Sequence, residues 1–499
     1  SIYVMAFTKQ YASLDGNRRG RGDGGIHSYL PRRGACLSLS NVFLKVKRPS
    51  LATLSVLALS FLLPLSAAAQ NDSSGFALTT PISDQPARST SDLNLETVSS
   101  HDLFISASAD AAAGRLESAV LKYKEVVRRE PTNVSARNNL AVCLKLQGNK
   151  EAALQEFEKT LAQSPNQPEL YNNLATSQIA LGKYDQALDS LYKALRLKPD
   201  FSDAHRNLAH VLSLKGDNEG AVTAYQEAIQ EAGAKWQKAP PSDQVNGEGE
   251  KSAEPDADVK LPLDAAARAQ LGDLHYELGD CLRLVHRFEQ ALLEYKTTLK
   301  LCSHSSDDFK ESVKLKCAKC YEGMGRYEEA RQILNELLEK SPDDTDALNC
   351  LGVVLWQMKQ LPESVYVLER ALKLEPAYPQ ARNNLGIALY ELKRYDEAVN
   401  VWRQALSLKP DYPEAHYNMG VALYQSGLYD QAVEAYKECL TYAPNDANAH
   451  NNLGLALLRL GNKAEALAQW RKAIECDANC AEAYTNLGKL LKETAVQPQ

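Results

Sequence analysis

Apolar residues recur along most of this chain at steps of three and four, in stretches of about a dozen residues, which lays them on one face of an α-helix. The stretches come in pairs, and the pairs repeat. Pro131, Pro165 and Pro199 stand 34 residues apart, and Pro342, Pro376, Pro410 and Pro444 repeat that interval. A fixed period of this length predicts stacked helical hairpins around a continuous core and argues against a compact enzyme domain. Units begin near Ser100, Val134, Pro168, Ser202, Gly272, Glu311, Thr345, Pro379, Pro413 and Ala447, with a last half-unit near Ala481.

Within a unit, a short turn containing glycine separates the two helices, as at Gly148, Gly182, Gly427 and Gly461. Glycine suits a helix end that needs positive φ, and the proline falls just past the second helix, which it cannot continue. Small residues mark where two helices approach: Gly352, Gly386, Gly420 and Gly454 in first helices, and Ala153, Ala187, Ala221, Ala291, Ala330, Ala398, Ala432 and Ala466 in second helices. Phe157, Tyr225, Tyr295, Trp402, Tyr436 and Trp470 lie four residues beyond such alanines, on the same face, and are expected to fill the seam as core.

The period fails in two places. Residues 234–263 include Pro240-Pro241 and a Gly-Glu run, and read as a flexible insertion. Extra residues around Ser305–Phe309 lengthen another turn. Either one continuous stack with a bulged loop or two stacks, 100–232 and 265–492, fits this pattern.

The front end has a different composition. Residues 1–50 are basic and poor in acids, residues 51–69 carry no charge and end in Ala67-Ala68-Ala69, and residues 70–99 are rich in Ser, Thr, Asp and Pro. A basic flank, an apolar stretch and small residues make a secretory-type signal, and the long region before it points to a two-part plastid address. The expected destination is the thylakoid lumen or membrane, with secretion or a periplasm as the alternative. If retained, residues 51–69 are the only expected membrane anchor. The resulting organisation is targeting segment 1–69, disordered linker 70–99, units one to four at 100–233, insertion 234–263, units five to ten with a capping helix at 264–492, and a tail at 493–499. The net charge of −7 and the absence of a basic stripe argue against nucleic acid.

One position repeats without a packing reason. Asn139, Asn173, Asn207, Asn384, Asn418, Asn452 and Asn486 occupy the sixth place of a first helix. A carboxamide donates and accepts, which matches a peptide backbone. Helices packed about 8–10 Å apart would space these side chains to grip roughly every third residue of an extended chain. The row lapses at Glu277, Lys316 and Cys350, so two separate ligand segments are expected. Val353, Ile387, Val421 and Leu455, at the ninth place, form a strip for ligand side chains or else help bury the hairpin. Asp273, Glu277 and Asp280, followed by Lys316 and Lys319, read as a solvated face before a charge filter.

These positions closely resemble the tetratricopeptide repeat family, from about Ser100 to Lys492 with the insertion excluded. Stretches such as Ala381-Arg382-Asn383-Asn384-Leu385-Gly386 look most like the repeats ahead of the catalytic domain of O-linked N-acetylglucosamine transferase. The resemblance implies an all-α fold: a right-handed α–α superhelix, or solenoid, of about ten repeats with a C-terminal capping helix and a concave groove. It also implies that the asparagine row holds peptide backbone, as in that transferase, and it carries over no chemistry. The chaperone-binding clamp of the family is not expected, because Val142, Thr176 and His210 stand where it needs other residues.

No phosphate loop or metalloprotease helix is present. His205, His275, His416 and His450 share one repeat position and read as packing residues. Cys317 and Cys320 read as core thiols, and Cys476 and Cys480 straddle an inter-unit turn at a spacing that permits a disulfide. The expectation is a non-catalytic scaffold or assembly helper without cofactor or metal. Its expected partners are other proteins, met as extended segments, in particular a subunit of a thylakoid membrane complex. The alternative is a targeting subunit that presents substrates to a separate enzyme such as a glycosyltransferase.

Overall fold

The computed structural model describes residues 98–237 and 265–496, and among these every regular element is an α-helix. The targeting segment, the linker up to residue 97, most of the insertion and the last three residues lie outside the described residues. The helices are α1 Ser100–Ala112, α2 Leu116–Arg129, α3 Val134–Leu146, α4 Lys150–Gln163, α5 Pro168–Ala180, α6 Tyr184–Leu197, α7 Ser202–Leu214, α8 Asn218–Gln237, α9 Ala265–Leu284 and α10 Phe288–Leu301. They continue as α11 Asp307–Gly323, α12 Tyr327–Lys340, α13 Thr345–Gln357, α14 Leu361–Leu374, α15 Pro379–Glu391, α16 Tyr395–Leu408, α17 Pro413–Gln425, α18 Tyr429–Tyr442, α19 Ala447–Arg459, α20 Lys463–Cys476 and α21 Ala481–Val496.

Nine first helices start at the residue that the 34-residue count gives. Their starts are chemically marked. Asn133, Asp344 and Asp446 cap α3, α13 and α19 with side-chain oxygens, and α5, α15 and α17 carry proline in the first turn, where a missing N–H costs nothing. Two starts differ from the count. α9 begins at Ala265, seven residues before Gly272, and α11 begins at Asp307, capped by Ser306. The extra residues at 307–309 therefore lengthen a helix and not a turn. α8 likewise runs on to Gln237, into the stretch that the sequence reads as an insertion.

The chain divides into two compact units between Val285 and His286, in the turn after α9. In the N-terminal unit α1 to α8 pack as successive hairpins and α9 packs on α8. The core runs through Leu103, Tyr123, Val126, Leu140, Phe157 and Leu174. The C-terminal unit spans α10 to α21, and its core runs from Trp356 and Leu368 through Trp402, Tyr436 and Trp470 to Leu490.

The seam residues behave as the small-residue pattern requires. Trp402, Tyr436 and Trp470 are 0–1 % exposed. A Cβ on Gly386 would stand 2.5 Å from the Trp402 ring, and on Gly454 it would stand 2.6 Å from Trp470. Such contacts are below any van der Waals distance, so only glycine lets the hairpin close on an indole. Among the described residues no helix is long and apolar enough to cross a membrane.

Candidate functional site

Within each compact unit first helices of successive repeats touch, which puts the sixth-place asparagines next to the preceding repeat. Their amides are not left facing outward. Asn173 Nδ2 donates to Asn138 Oδ1 at 3.0 Å, Asn207 to Asn172 at 2.8 Å, Asn384 to Asn349 at 2.9 Å, Asn418 to Asn383 at 3.3 Å and Asn486 to Asn451 at 3.0 Å. Asn452 donates to the Tyr417 hydroxyl at 2.9 Å, and Asn139, in the first full rung, to the Tyr123 hydroxyl at 3.4 Å. Apart from Asn139, every acceptor sits at the fifth place of the helix before, 35 residues upstream. The ladder thus runs along the stack: each carboxamide uses a donor to hold its own repeat to the previous one.

Exposure follows from this pairing. Asn139, Asn173 and Asn418 are buried, whereas Asn207, Asn384, Asn452 and Asn486 are half-buried. At each of these places the stack takes one of the two N–H donors with which the sequence reading would grip a ligand backbone. The oxygens fare differently. Asn139 Oδ1 and Asn452 Oδ1 accept from their neighbours Asn138 and Asn451 at 3.2 Å. The Oδ1 of Asn418 is buried without a partner. Among the described residues no donor reaches the Oδ1 of Asn207, Asn384 or Asn486.

At Glu277 the row continues in another chemistry. The fifth place before it is Arg206, whose guanidinium Nε donates to the Glu277 carboxylate at 3.0 Å, with a second bond from Nη2. Burial works against the Arg206 charge, but the hydrogen bonds and charge of Glu277, helped by Asp273, outweigh it and hold the guanidinium firmly protonated. Burial pushes the Asp273 carboxyl up, and Arg206 only partly counters this. At Cys350 the fifth place before it is Leu315, so neither side needs a hydrogen bond, and burial raises the Cys350 thiol to about 11. Lys316 places its ammonium 6.0 Å from the centre of the Tyr295 ring. Glu277 is thus a rung with its chemistry changed, and Cys350 a place where both positions turn apolar together.

The fifth-place residues are what the sequence reading missed. The signal was present: a 35-residue offset, one more than the repeat, along which Asn meets Asn, while Arg206 and Glu277 hold the same two places 71 residues apart, across the insertion. In the C-terminal unit these residues also reach the seam. Trp402 Nε1 donates to Asn383 Oδ1 at 3.1 Å, so that oxygen serves both the indole and Asn418. Trp470 Nε1 donates to the Asn451 backbone carbonyl at 3.1 Å.

The fourth place has its own task. His205, His416 and His450 bring Nε2 to the carbonyls of Pro199, Pro410 and Pro444 at 2.9–3.1 Å, and Arg137 and Arg382 donate to those of Pro131 and Pro376. Each therefore ties the start of a first helix to the loop just past the preceding second helix, satisfying a proline carbonyl there. Among the ninth-place residues, Val421 is buried and Val353, Ile387 and Leu455 are half-buried. Cys317 and Cys320 are buried in the core, and no disulfide joins Cys476 to Cys480. Among the described residues no group of His, Cys, Asp and Glu is placed to hold a metal ion.

Models described as TPR repeat match residues 357–393 and 388–427, and models described as Tetratricopeptide repeat match 110–177, 168–201, 286–351 and 417–483. Among curated proteins none matches. Similar solved structures include MamA, 22% identical over 34% of this chain and 94% of that one, with a TM-score of 0.31. They also include MamA 41-end from Desulfovibrio magneticus RS-1, 23% identical over 35% and 98%, TM-score 0.32. A third is YrrB, described as a TPR protein with an unusual peptide-binding site, 20% identical over 38% and 96%, TM-score 0.32. The repeat matches reach more than half of the 499 residues and fall on the observed hairpins, so this chain belongs to the tetratricopeptide repeat proteins.

Proposed function

We propose that this protein is a non-catalytic scaffold that holds an extended segment of another protein along its first helices. The observation that carries this reading is the one-sided state of the ladder. One N–H of each amide is spent on the stack, while among the described residues no donor reaches the oxygens of the half-buried Asn207, Asn384 and Asn486. A row of acceptors spaced by one repeat takes backbone N–H groups of a strand-like segment without reading its sequence. In the C-terminal unit the half-buried Val353, Ile387 and Leu455 lie at the ninth place, beside the rungs, where they meet the segment's side chains.

The test replaces both members of a rung, Asn349 and Asn384, by alanine, so that no buried donor or acceptor is orphaned. A second variant sets Ile387→Lys and Leu455→Lys. Both are to lower recovery of bound partners while thermal unfolding stays close to that of the parent protein. Recovery unchanged in both, with the fold intact, rejects binding along the first helices.

The client and compartment rest on sequence alone. The composition of residues 1–69 supports a two-part plastid address that leaves a mature chain beginning at Gln70 in the thylakoid lumen, with a photosynthetic membrane complex as client. N-terminal sequencing of the mature protein and fractionation test this, and a retained 51–69 segment counts against it.

A further inference from the structure

Four first helices of the C-terminal unit carry an aromatic ring near their C-terminal end: Tyr321 in α11, Trp356 in α13, Tyr390 in α15 and Tyr424 in α17. Three of these rings hold a cation of this chain. The Arg326 guanidinium stands 4.7 Å from the centre of the Tyr321 ring, and the Lys359 ammonium 5.5 Å from that of Trp356. At the third, two rings share one cation. Tyr424 and Tyr429, the first residue of α18, meet edge to face with centroids 5.3 Å apart, and the Arg459 guanidinium lies 6.0 Å from the centre of each. Arg459 Nε also donates to the Tyr424 hydroxyl at 3.1 Å. Tyr390 and Tyr395 repeat this pair one hairpin earlier, with centroids 5.2 Å apart. Among the described residues no cation lies over either ring.

One residue makes the difference. Arg459, the last residue of α19, stands 35 positions beyond Tyr424, and 35 positions beyond Tyr390 stands Gln425, the last residue of α17, exposed and uncharged. The Tyr390 pair is otherwise the better prepared for a positive charge. Gln425 follows Tyr424, whereas the carboxylate of Glu391 follows Tyr390. Burial first, then Tyr395 and the charge of Glu391, push the Tyr390 hydroxyl up to about 12. Of the nearby cations, Arg394 is turned to Glu397 through two bonds at 2.6 Å, and the Lys359 ammonium stands 3.6 Å from Glu391. Two phenol faces beside a carboxylate, at the carbonyl end of a helix, attract a cation through ring quadrupole and field together. The last place of a first helix lies about two turns beyond the sixth, on the face of the asparagine row, so a segment laid along that row passes the pair. We infer that Tyr390 and Tyr395 form a subsite for an arginine side chain of the bound segment, taken up as Arg459 is by Tyr424 and Tyr429. This assignment rests on the scaffold reading and supplies the side-chain selectivity that a row of backbone acceptors lacks.

Random dodecapeptides displayed on phage and selected on the full chain test the assignment. The selected peptides are to be enriched in arginine. Replacing that arginine by glutamine in a synthetic copy is to weaken binding at least about threefold, the worth of an exposed cation–π contact. Gln425→Arg supplies the cation from within and is to weaken the same peptides by as much or more, with melting no lower because the residue is exposed. Tyr395→Leu removes one ring without adding charge and is to weaken them as well. Peptides without an excess of arginine that are lost with Ile387→Lys and Leu455→Lys overturn this assignment and leave the scaffold reading standing. Arginine peptides indifferent to either Gln425→Arg or Tyr395→Leu overturn it too. A parent chain that selects no peptide overturns both.

Discussion

The two units build the same hairpin with different residues at the same place. In the N-terminal unit the eighth place of the first four repeats is alanine (Ala107, Ala141, Ala175 and Ala209), and the opposing seam residues are Tyr123, Phe157, Leu191 and Tyr225. From Gly352 onward that place is glycine, and both tryptophans of the seam, Trp402 and Trp470, lie against it. Removing one methyl from the first helix makes room for an indole on the second. The indole then gains a bond that a leucine or phenylalanine cannot make, to Asn383 or to the backbone of Asn451. The C-terminal unit thereby joins its seam to its ladder through indoles, whereas the N-terminal unit does so through phenols, Tyr123 bonded to Asn139 and Tyr225 to Glu277. Seam and ladder meet in both units, through phenols where the eighth place is alanine and through indoles at Gly386 and Gly454, and that makes particular substitutions informative.

The largest expected effect is at the seam. Trp402→Ala removes a fully buried indole and leaves Asn383 one donor short, so a loss of about 3–5 kcal/mol is expected from urea unfolding. Hydrogen exchange is to show that loss mainly in the C-terminal unit, because a stacked array transmits damage chiefly to neighbouring repeats. Protection lost equally in both units would break the comparison.

The eighth place sharpens it through the sign of a single methyl. Glycine inside a helix ordinarily costs up to about 1 kcal/mol relative to alanine, so Ala175→Gly is to destabilise by about that much. Gly386→Ala gains the same propensity but drives a methyl into the Trp402 ring, and is to destabilise by about 1–3 kcal/mol. A stabilised Gly386→Ala would mean that the seam is loose enough to yield.

Rung chemistry gives a third contrast. Arg206→Ala and Glu277→Ala are to show a coupling of about 0.5–3 kcal/mol in a double-mutant cycle. That coupling is to weaken in salt, because side chains about a quarter to a third exposed are screened. The same cycle on Asn349 and Asn384 is to be insensitive to salt. A salt-independent Arg206–Glu277 coupling would argue against the ion pair as the rung.

The smallest effect concerns the turns. Where most hairpins use glycine at positive φ, Lys359 and Lys393 adopt φ of 63°. Lysine pays a steric penalty there that glycine does not, so Lys393→Gly is to raise stability by up to about 1 kcal/mol. Gly182→Lys, at φ 72° in the N-terminal unit, is to lower it by a similar amount. Thermal melts resolve both signs.

Period, hairpin register and seam were legible in the sequence because each rests on local chemistry: helical spacing of Leu and Ala, glycine in the turn, proline after it. Nine helix starts were readable to the residue for that reason. The extra helical turns at Ala265 and Asp307 were not, because in both places the period is interrupted and nothing local says whether added residues continue a helix. The seven asparagines were found as a row, but not that one N–H of each closes on the preceding repeat. A carboxamide one residue before a buried leucine can face a groove or a neighbouring helix with equal local sense. Which of these holds is decided by what the next repeat places opposite, 35 residues upstream. Sequence alone determined that this chain stacks hairpins and which residues fill the seam between them, since those follow from period and size. Only the tertiary structure decided that six of the amides close on fifth-place partners and Asn139 on Tyr123. Hydrogen bonds and cavities depend on which atoms meet across repeats, and a linear pattern does not contain that distance.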